Sequence, residues 1–225
     1  YLGRYKNDNG VASVWVTFGE VLLRSGRLGE AEQVFRRVWI ELPGSLDSER
    51  AKAHLAALGA APFSEDERLQ RANTLYRLGR YPQVLAELAP FAAAGGPRAT
   101  RARLALGISA FHVRRYEEAA RWLAPLRDAP GPDRPEALFW LGRSAGRAGN
   151  RPGFIESLTL LADTFPGTRR AEEALYLLAQ SAADEGEPAE GRRHVARLLR
   201  EYPRTGWKDV ALWLDGWLAY RLQDT

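Results

Sequence analysis

The strongest constraint on this chain is internal repetition. A small residue recurs at Gly19, Ala72, Gly107, Gly142, Ala179 and Gly216, at intervals of 53, 35, 35, 37 and 37 residues. Around each one, apolar residues return at spacings of three and four rather than two, the period of a helix and not of a strand. A recurrence of this length restricts the fold severely. Each repeat is a supersecondary unit too small to bury its own apolar face, so successive units must stack and bury each other.

From Ala12 to Pro43, the residues Trp15, Phe18, Gly19, Leu22, Gly26, Leu28, Ala31, Phe35, Val38 and Pro43 fall at the spacings of a 34-residue tetratricopeptide unit, which this segment resembles. The scheme returns around Ala72, Leu75, Gly79 and Tyr81, and around Leu106, Gly107, Tyr116, Ala119 and Leu123. It returns again around Leu141, Gly142, Ala145, Gly149, Leu158 and Pro166, and around Leu178, Ala179, Ala182, Gly186, Val195 and Pro203. The expected fold class is all-α, a right-handed superhelical solenoid of tetratricopeptide-like helix hairpins in a single domain over residues 1–225. The predicted repeats are about 12–45, 65–97, 100–132, 135–168 and 172–205, with a half repeat at 207–225.

Each recurring residue type has a physical task. Small residues at Gly19, Ala72, Gly107, Gly142 and Ala179 let the two helices of a hairpin approach closely. Gly26, Gly79, Gly149 and Gly186 suit the left-handed conformation that ends a first helix. Pro43, Pro166 and Pro203 stop the second helix, because proline lacks an amide hydrogen and disfavours helix in the residue before it. The long first interval predicts an inserted helix over about 47–58, starting near Asp47 and followed by a breaker run from Gly59 to Pro62. The last unit holds only a first helix, and the chain starts at Tyr1 without any methionine. Both features predict a portion of a longer protein.

Charge narrows the partner classes. Lys plus Arg against Asp plus Glu is 32 against 28, and Lys6, Lys52 and Lys208 are the only lysines. Basic doublets such as Arg36-Arg37, Arg114-Arg115, Arg169-Arg170 and Arg192-Arg193 alternate with acidic pairs instead of gathering on one segment, which argues against a nucleic-acid partner. The absence of cysteine excludes disulfides, thiolate metal sites and a cysteine nucleophile, and leaves the redox compartment open. No apolar run approaches the ~20 residues of a membrane-spanning helix.

A second resemblance is carried by longer runs. They are Ala137-Leu138-Phe139-Trp140-Leu141-Gly142-Arg143, Phe165-Pro166-Gly167-Thr168, Glu201-Tyr202-Pro203-Arg204-Thr205, the stretch from Ala211 to Arg221, and Val38-Trp39-Ile40-Glu41-Leu42-Pro43-Gly44-Ser45. From about Val11 to Tyr220 the chain resembles the helical superhelix that precedes the catalytic domain of soluble lytic transglycosylases. Similar hairpin repeats also occur in cell-envelope scaffolds. The resemblance implies a non-catalytic domain of a periplasmic peptidoglycan-cleaving enzyme. Such a domain positions a downstream glycan-cleaving domain and binds cell-wall or protein partners. The alternative is a stand-alone repeat adaptor of the bacterial cell envelope that binds proteins, and the residues themselves leave the cytoplasm open.

No catalytic, cofactor or metal residue is expected within this chain. Glu156-Ser157 matches the first two residues of the transglycosylase signature but is followed by Leu158-Thr159-Leu160 and lies mid-helix. Gly142-Arg143-Ser144-Ala145-Gly146 has the spacing of a nucleophile elbow without the strand that chemistry requires. His54, His112 and His194 lie in different repeats, without metal-ligand spacing. Glu117-Glu118 and Glu172-Glu173 stand near helix starts, where acids suit the helix dipole; Asp184-Glu185 with Glu187 is a further acidic group. Gly95-Gly96-Pro97 reads as a turn.

The expected working surface is instead the face of the first helices. One equivalent position holds Leu23, Tyr76, Phe111, Gly146, Ala183 and Tyr220. A second holds Val16, Leu69, Leu104, Phe139, Tyr176 and Trp213, with Asn73, Arg143, Gln180 and Trp217 between. From these rows the candidate partner-binding residues are Tyr76, Arg77, Phe111, Phe139, Arg143, Arg147, Tyr176, Gln180, Trp213, Trp217, Tyr220 and Arg221. Rings offer contact area at low entropy cost, and arginine pairs with carboxylates.

Overall fold

A computed structural model describes residues 9–94 and 97–223. Among them are twelve α-helices and no strand. They are α1 (Asn9–Arg24), α2 (Leu28–Glu41), α3 (Asp47–Ala57), α4 (Glu65–Arg77), α5 (Tyr81–Ala94), α6 (Pro97–His112), α7 (Tyr116–Leu123), α8 (Arg134–Arg147), α9 (Arg151–Thr164), α10 (Arg169–Asp184), α11 (Pro188–Glu201) and α12 (Lys208–Gln223). Consecutive helices pack as pairs, the arrangement of tetratricopeptide-like repeats, and α3 is the inserted helix. The predicted turn at Gly95-Gly96 lies outside the described residues.

The turns and stops follow the residues that mark them. Gly26, Gly79, Gly149 and Gly186 take φ of 77°, 67°, 78° and 74°. At the equivalent place after α6 the chain has no glycine, and Arg114 takes φ 63° instead. Before each stop proline, the helix opens at Leu42, Phe165 and Tyr202, with φ near −125° and positive ψ. After α7, Pro125 instead tightens the chain into a 3-10 turn over Ala124–Leu126. Helix α4 begins with a capping box: Glu67 N–H donates to Ser64 Oγ at 3.2 Å, and Ser64 N–H donates to Glu67 Oε2 at 2.7 Å.

The chain divides into two compact units, Tyr1–Val113 and Arg114–Thr225. In the first, Val16, Leu22, Ala31, Phe35, Val38, Ala51 and Leu55 form a core shared by α1, α2 and the inserted α3. Gly19 permits that packing, since a Cβ there would lie 2.6 Å from the Phe35 ring. In the second, Leu175, Ala179, Val195, Leu198, Ala211, Leu214 and Leu218 join α10, α11 and α12. Gly142 plays the same part between α8 and α9, where a Cβ would meet Leu158 at 2.8 Å.

Candidate functional site

Tyr76, Arg77 and Phe111 belong to the first unit and the other candidate residues to the second. Tyr76 meets Tyr81 edge-on at 6.0 Å, Tyr81 stacks on His112 at 4.3 Å, and Phe111 meets His112 edge-on at 6.0 Å. These rings form an aromatic cluster at the adjoining ends of α4, α5 and α6, in which Tyr76, Tyr81 and Phe111 are half-buried and His112 is exposed, with Arg77 exposed beside it.

Two candidates of the second unit do not face solvent, which corrects the sequence expectation. Phe139 is wholly buried. The Arg170 guanidinium covers its ring at 4.1 Å, and Arg170 is itself held by Glu136 at 2.6 and 2.8 Å and by Glu173 at 2.8 Å. Tyr176 is buried under Trp207, whose ring stacks on it at 4.4 Å, and its hydroxyl accepts from Gln180 Nε2 at 2.8 Å. Helical periodicity assigned both rings to the inward row, but a neighbouring helix or turn lies over each of them.

Arg143, Arg147 and Gln180 come together. They line a cleft of about 460 Å³ between α8 and α10, with Arg151, Phe154, Ser181, Asp184 and Glu185 also on its walls. Gly146 is part of its surface, and a Cβ there would press on Phe154 at 2.9 Å. Burial holds the Arg143 guanidinium below its ordinary pKa, and the like charges of Arg147 and Arg170 act in the same direction against Glu173. The sequence reading missed Asp184 as a site residue. Its signal was there: Asp184 follows Gln180 by one turn, as Arg147 follows Arg143.

Trp213, Trp217 and Tyr220 stand on the outer surface of α12, 67%, 36% and 63% exposed. The two indoles are parallel with centroids 6.4 Å apart, and Arg221 continues the ladder 5.1 Å from the Trp217 ring. A second cleft of about 730 Å³ contains none of the candidate residues. It has apolar walls from Ile155, Leu178, Ala182 and Leu222, and His194 Nε2 lies 3.1 Å from Glu190 Oε1, both residues also lining it.

The remaining sequence features have structural roles. Glu156 is exposed and paired with Arg127 at 2.6 Å, while Ser157 and Ser144 are buried inside α9 and α8. His54 stacks on Phe35 at 4.6 Å and meets Glu20 at 3.1 Å. Among the described residues, no group of three or more His, Asp or Glu is placed to hold a metal ion, and no helix is long and apolar enough to cross a membrane.

Comparison with known proteins identifies tetratricopeptide repeats over residues 69–130 and again over residues 173–205. The first match spans α4 to α7 and the second spans α10 and α11. No curated protein matches the chain.

Proposed function

We propose that these tetratricopeptide repeats form a protein-binding module whose contact surface in the second unit is the cleft between α8 and α10. The observation that carries this reading is the convergence of Arg143, Arg147 and Gln180 on one cleft. The packing positions of the same helices are already filled by Ala137, Gly142, Ala145, Ala179 and Ala182, all buried. Arg147 and Gln180, both exposed, therefore add polar contact surface beyond the apolar core of these helices.

In its finer form, the module is the superhelical part of a periplasmic lytic transglycosylase, touching peptidoglycan or protein partners and positioning a glycan-cleaving domain against Trp213, Trp217 and Tyr220. The sequence runs from Ala137 to Arg143 and from Ala211 to Arg221 support that affiliation, and the exposure of the α12 rings supports a covering partner. A stand-alone envelope adaptor is the alternative. The gene's sequence after the Thr225 codon separates the two. A Glu-Ser signature in a following domain favours the enzyme, and loss of that domain's association in Trp213→Ala/Trp217→Ala marks the interface.

Peptide-library selection on the purified chain tests the binding reading itself. Selected peptides are expected to lose about tenfold in affinity, on the order of one lost charged contact, against Arg147→Glu/Gln180→Ala, with thermal melting unchanged. Failure to select any peptide, or equal binding to both proteins, overturns it.

A further inference from the structure

Helix α10 packs against both α9 and α11, and the larger cleft of the second unit, about 730 Å³, draws its lining from all three. From α10 come Leu178 and Ala182, buried residues of the core that also border the cleft. Ile155 and Thr159 stand one turn apart on α9, Pro188 and Ala189 begin α11, and Leu222 of α12 completes the apolar lining. A hollow of this volume with a mainly apolar surface has the dimensions of a small-molecule site.

The repeat does not impose this hollow. Ser181 lies two residues after the repeating small residue Ala179, and Ser109 and Ser144 hold the same place in α6 and α8. Those two serines are wholly buried, whereas Ser181 is half-buried and borders the cleft. The scaffold is thus able to cover this position, and at Ser181 it leaves it open beside the small side chains of Ala182 and Ala189.

The charges of the cleft are held in pairs. Arg151 meets Glu187 at 2.5 Å, and Glu190 meets both Arg193 and, at 3.1 Å, His194. Burial keeps His194 below its ordinary pKa, with Arg193 and Arg197 acting the same way against Asp163, so its imidazole is mostly uncharged at neutral pH. Arg151 and Arg193 against Glu187 and Glu190 then leave the lining without net charge. The hydroxyls of Thr159 and Ser181 are polar groups that carry no charge, and each can donate or accept a hydrogen bond. An ionic head group entering this cleft gives up its water for a surface whose charges already have partners; a neutral head group loses far less.

We propose that this cleft binds an uncharged amphipathic molecule, its aliphatic body against Ile155, Leu178, Ala182 and Leu222 and its hydroxyl or carbonyl head at Thr159 and Ser181. The site goes beyond the protein-binding reading and needs neither Arg147 nor Gln180. Affinity comes from removing the aliphatic chain from water. The head group's hydrogen bond sets its orientation, and the paired charges select against an acid or amine with the same chain.

The test is a titration of the ¹⁵N-labelled 225-residue chain with n-octanol, octanoate and octylammonium, which share one aliphatic chain and differ in head charge. Saturable shifts at Ile155, Ser181, Ala182 and Ala189 are expected with n-octanol. Each ion should bind about tenfold more weakly, on the order of one charge partly desolvated. Ala189→Trp, a change at an exposed position, fills the hollow and should abolish the shifts at an unchanged melting temperature. Ser181→Ala keeps the hollow and should weaken n-octanol about fivefold, the scale of one neutral hydrogen bond. Absence of saturable shifts at these residues, equal binding of the three ligands, or unchanged binding to Ala189→Trp overturns the inference. Loss of n-octanol binding in Arg147→Glu/Gln180→Ala would place the ligand in the cleft between α8 and α10 and overturn it too. If n-octanol leaves these residues unmoved and a library-selected peptide shifts them, the cleft belongs to a protein interface; this inference then falls and the binding module stands.

Discussion

The Arg71 guanidinium lies 4.3 Å over the indole of Trp39 and donates at 2.5 Å to that same residue's main-chain carbonyl. The same indole is stacked on Phe63 at 3.6 Å. From this position Arg71 also donates to Ser48 at 2.8 Å and Glu87 at 3.2 Å, and reaches Glu49 at 3.4 Å. One side chain thereby joins α2, the inserted α3, α4 and α5. Burial draws Arg71 below its ordinary pKa, while Glu87 and Glu49 oppose that shift.

Removing the guanidinium leaves Ser48, the Trp39 carbonyl and part of Glu87 without their donor in a buried place. Arg71→Met is therefore expected to destabilise the first unit by about 3 kcal/mol. Urea unfolding measures it. A loss below about 1 kcal/mol, the scale of one ordinary hydrogen bond, would show that the stack and its acceptors carry little.

Two glycines at equivalent repeat positions should respond in opposite ways. A Cβ on Gly19 meets the Phe35 ring at 2.6 and 2.7 Å, and Phe35 is wholly buried, so Gly19→Ala is expected to cost about 2 kcal/mol by overpacking. A Cβ on Gly216 meets nothing within 4 Å, so Gly216→Ala should gain about 0.8 kcal/mol from helix propensity alone. Paired thermal melts of the two variants decide it by sign.

Arg114 holds the left-handed position that glycine occupies in the other repeats. A side chain there is pressed against the following carbonyl, at a cost of about 1–2 kcal/mol. Arg114→Gly should therefore raise stability by about 1 kcal/mol, after allowance for the greater freedom of glycine in the unfolded chain. A lower melting temperature in the variant would contradict this.

The pH response of the second unit should have two steps. Burial holds His194 below the ordinary 6.5, assisted by Arg193 and Arg197 and opposed by Asp163. Its folded form binds the proton less readily than the unfolded chain does, so its contribution is complete above 6.5 and is lost as pH falls from there towards the folded value. For Glu136, burial raises the pKa, but the hydrogen bonds from Arg170 and Trp140 and the Arg170 charge outweigh it and leave it below 4.5. Its contribution is complete above 4.5 and disappears as pH falls through the lowered value. Melting temperature against pH should show both steps, with His194→Gln flattening only the upper one and Glu136→Gln only the lower. An unchanged upper step in His194→Gln would refute its assignment.

The amino-acid sequence by itself determined the helix pairs, the turns at Gly26, Gly79, Gly149 and Gly186, the stops before Pro43, Pro166 and Pro203, and the inserted helix, found at Asp47–Ala57. These are short-range properties: a glycine's φ, a proline's missing donor and the 3.6-residue period act within a turn or two of chain. The tertiary structure decided what lies over each helix face. Periodicity placed Phe139 and Tyr176 in the same inward row as Trp213, but Arg170 covers the first, Trp207 covers the second, and Trp213 remains exposed. It also decided that Arg71 would lock the inserted helix through Trp39 and Ser48, 32 and 23 residues away in sequence, and that Arg147 and Asp184 would line one cleft without pairing. Burial and ion pairing depend on which distant helices are neighbours, and a residue's position within its own helical period carries no information about that.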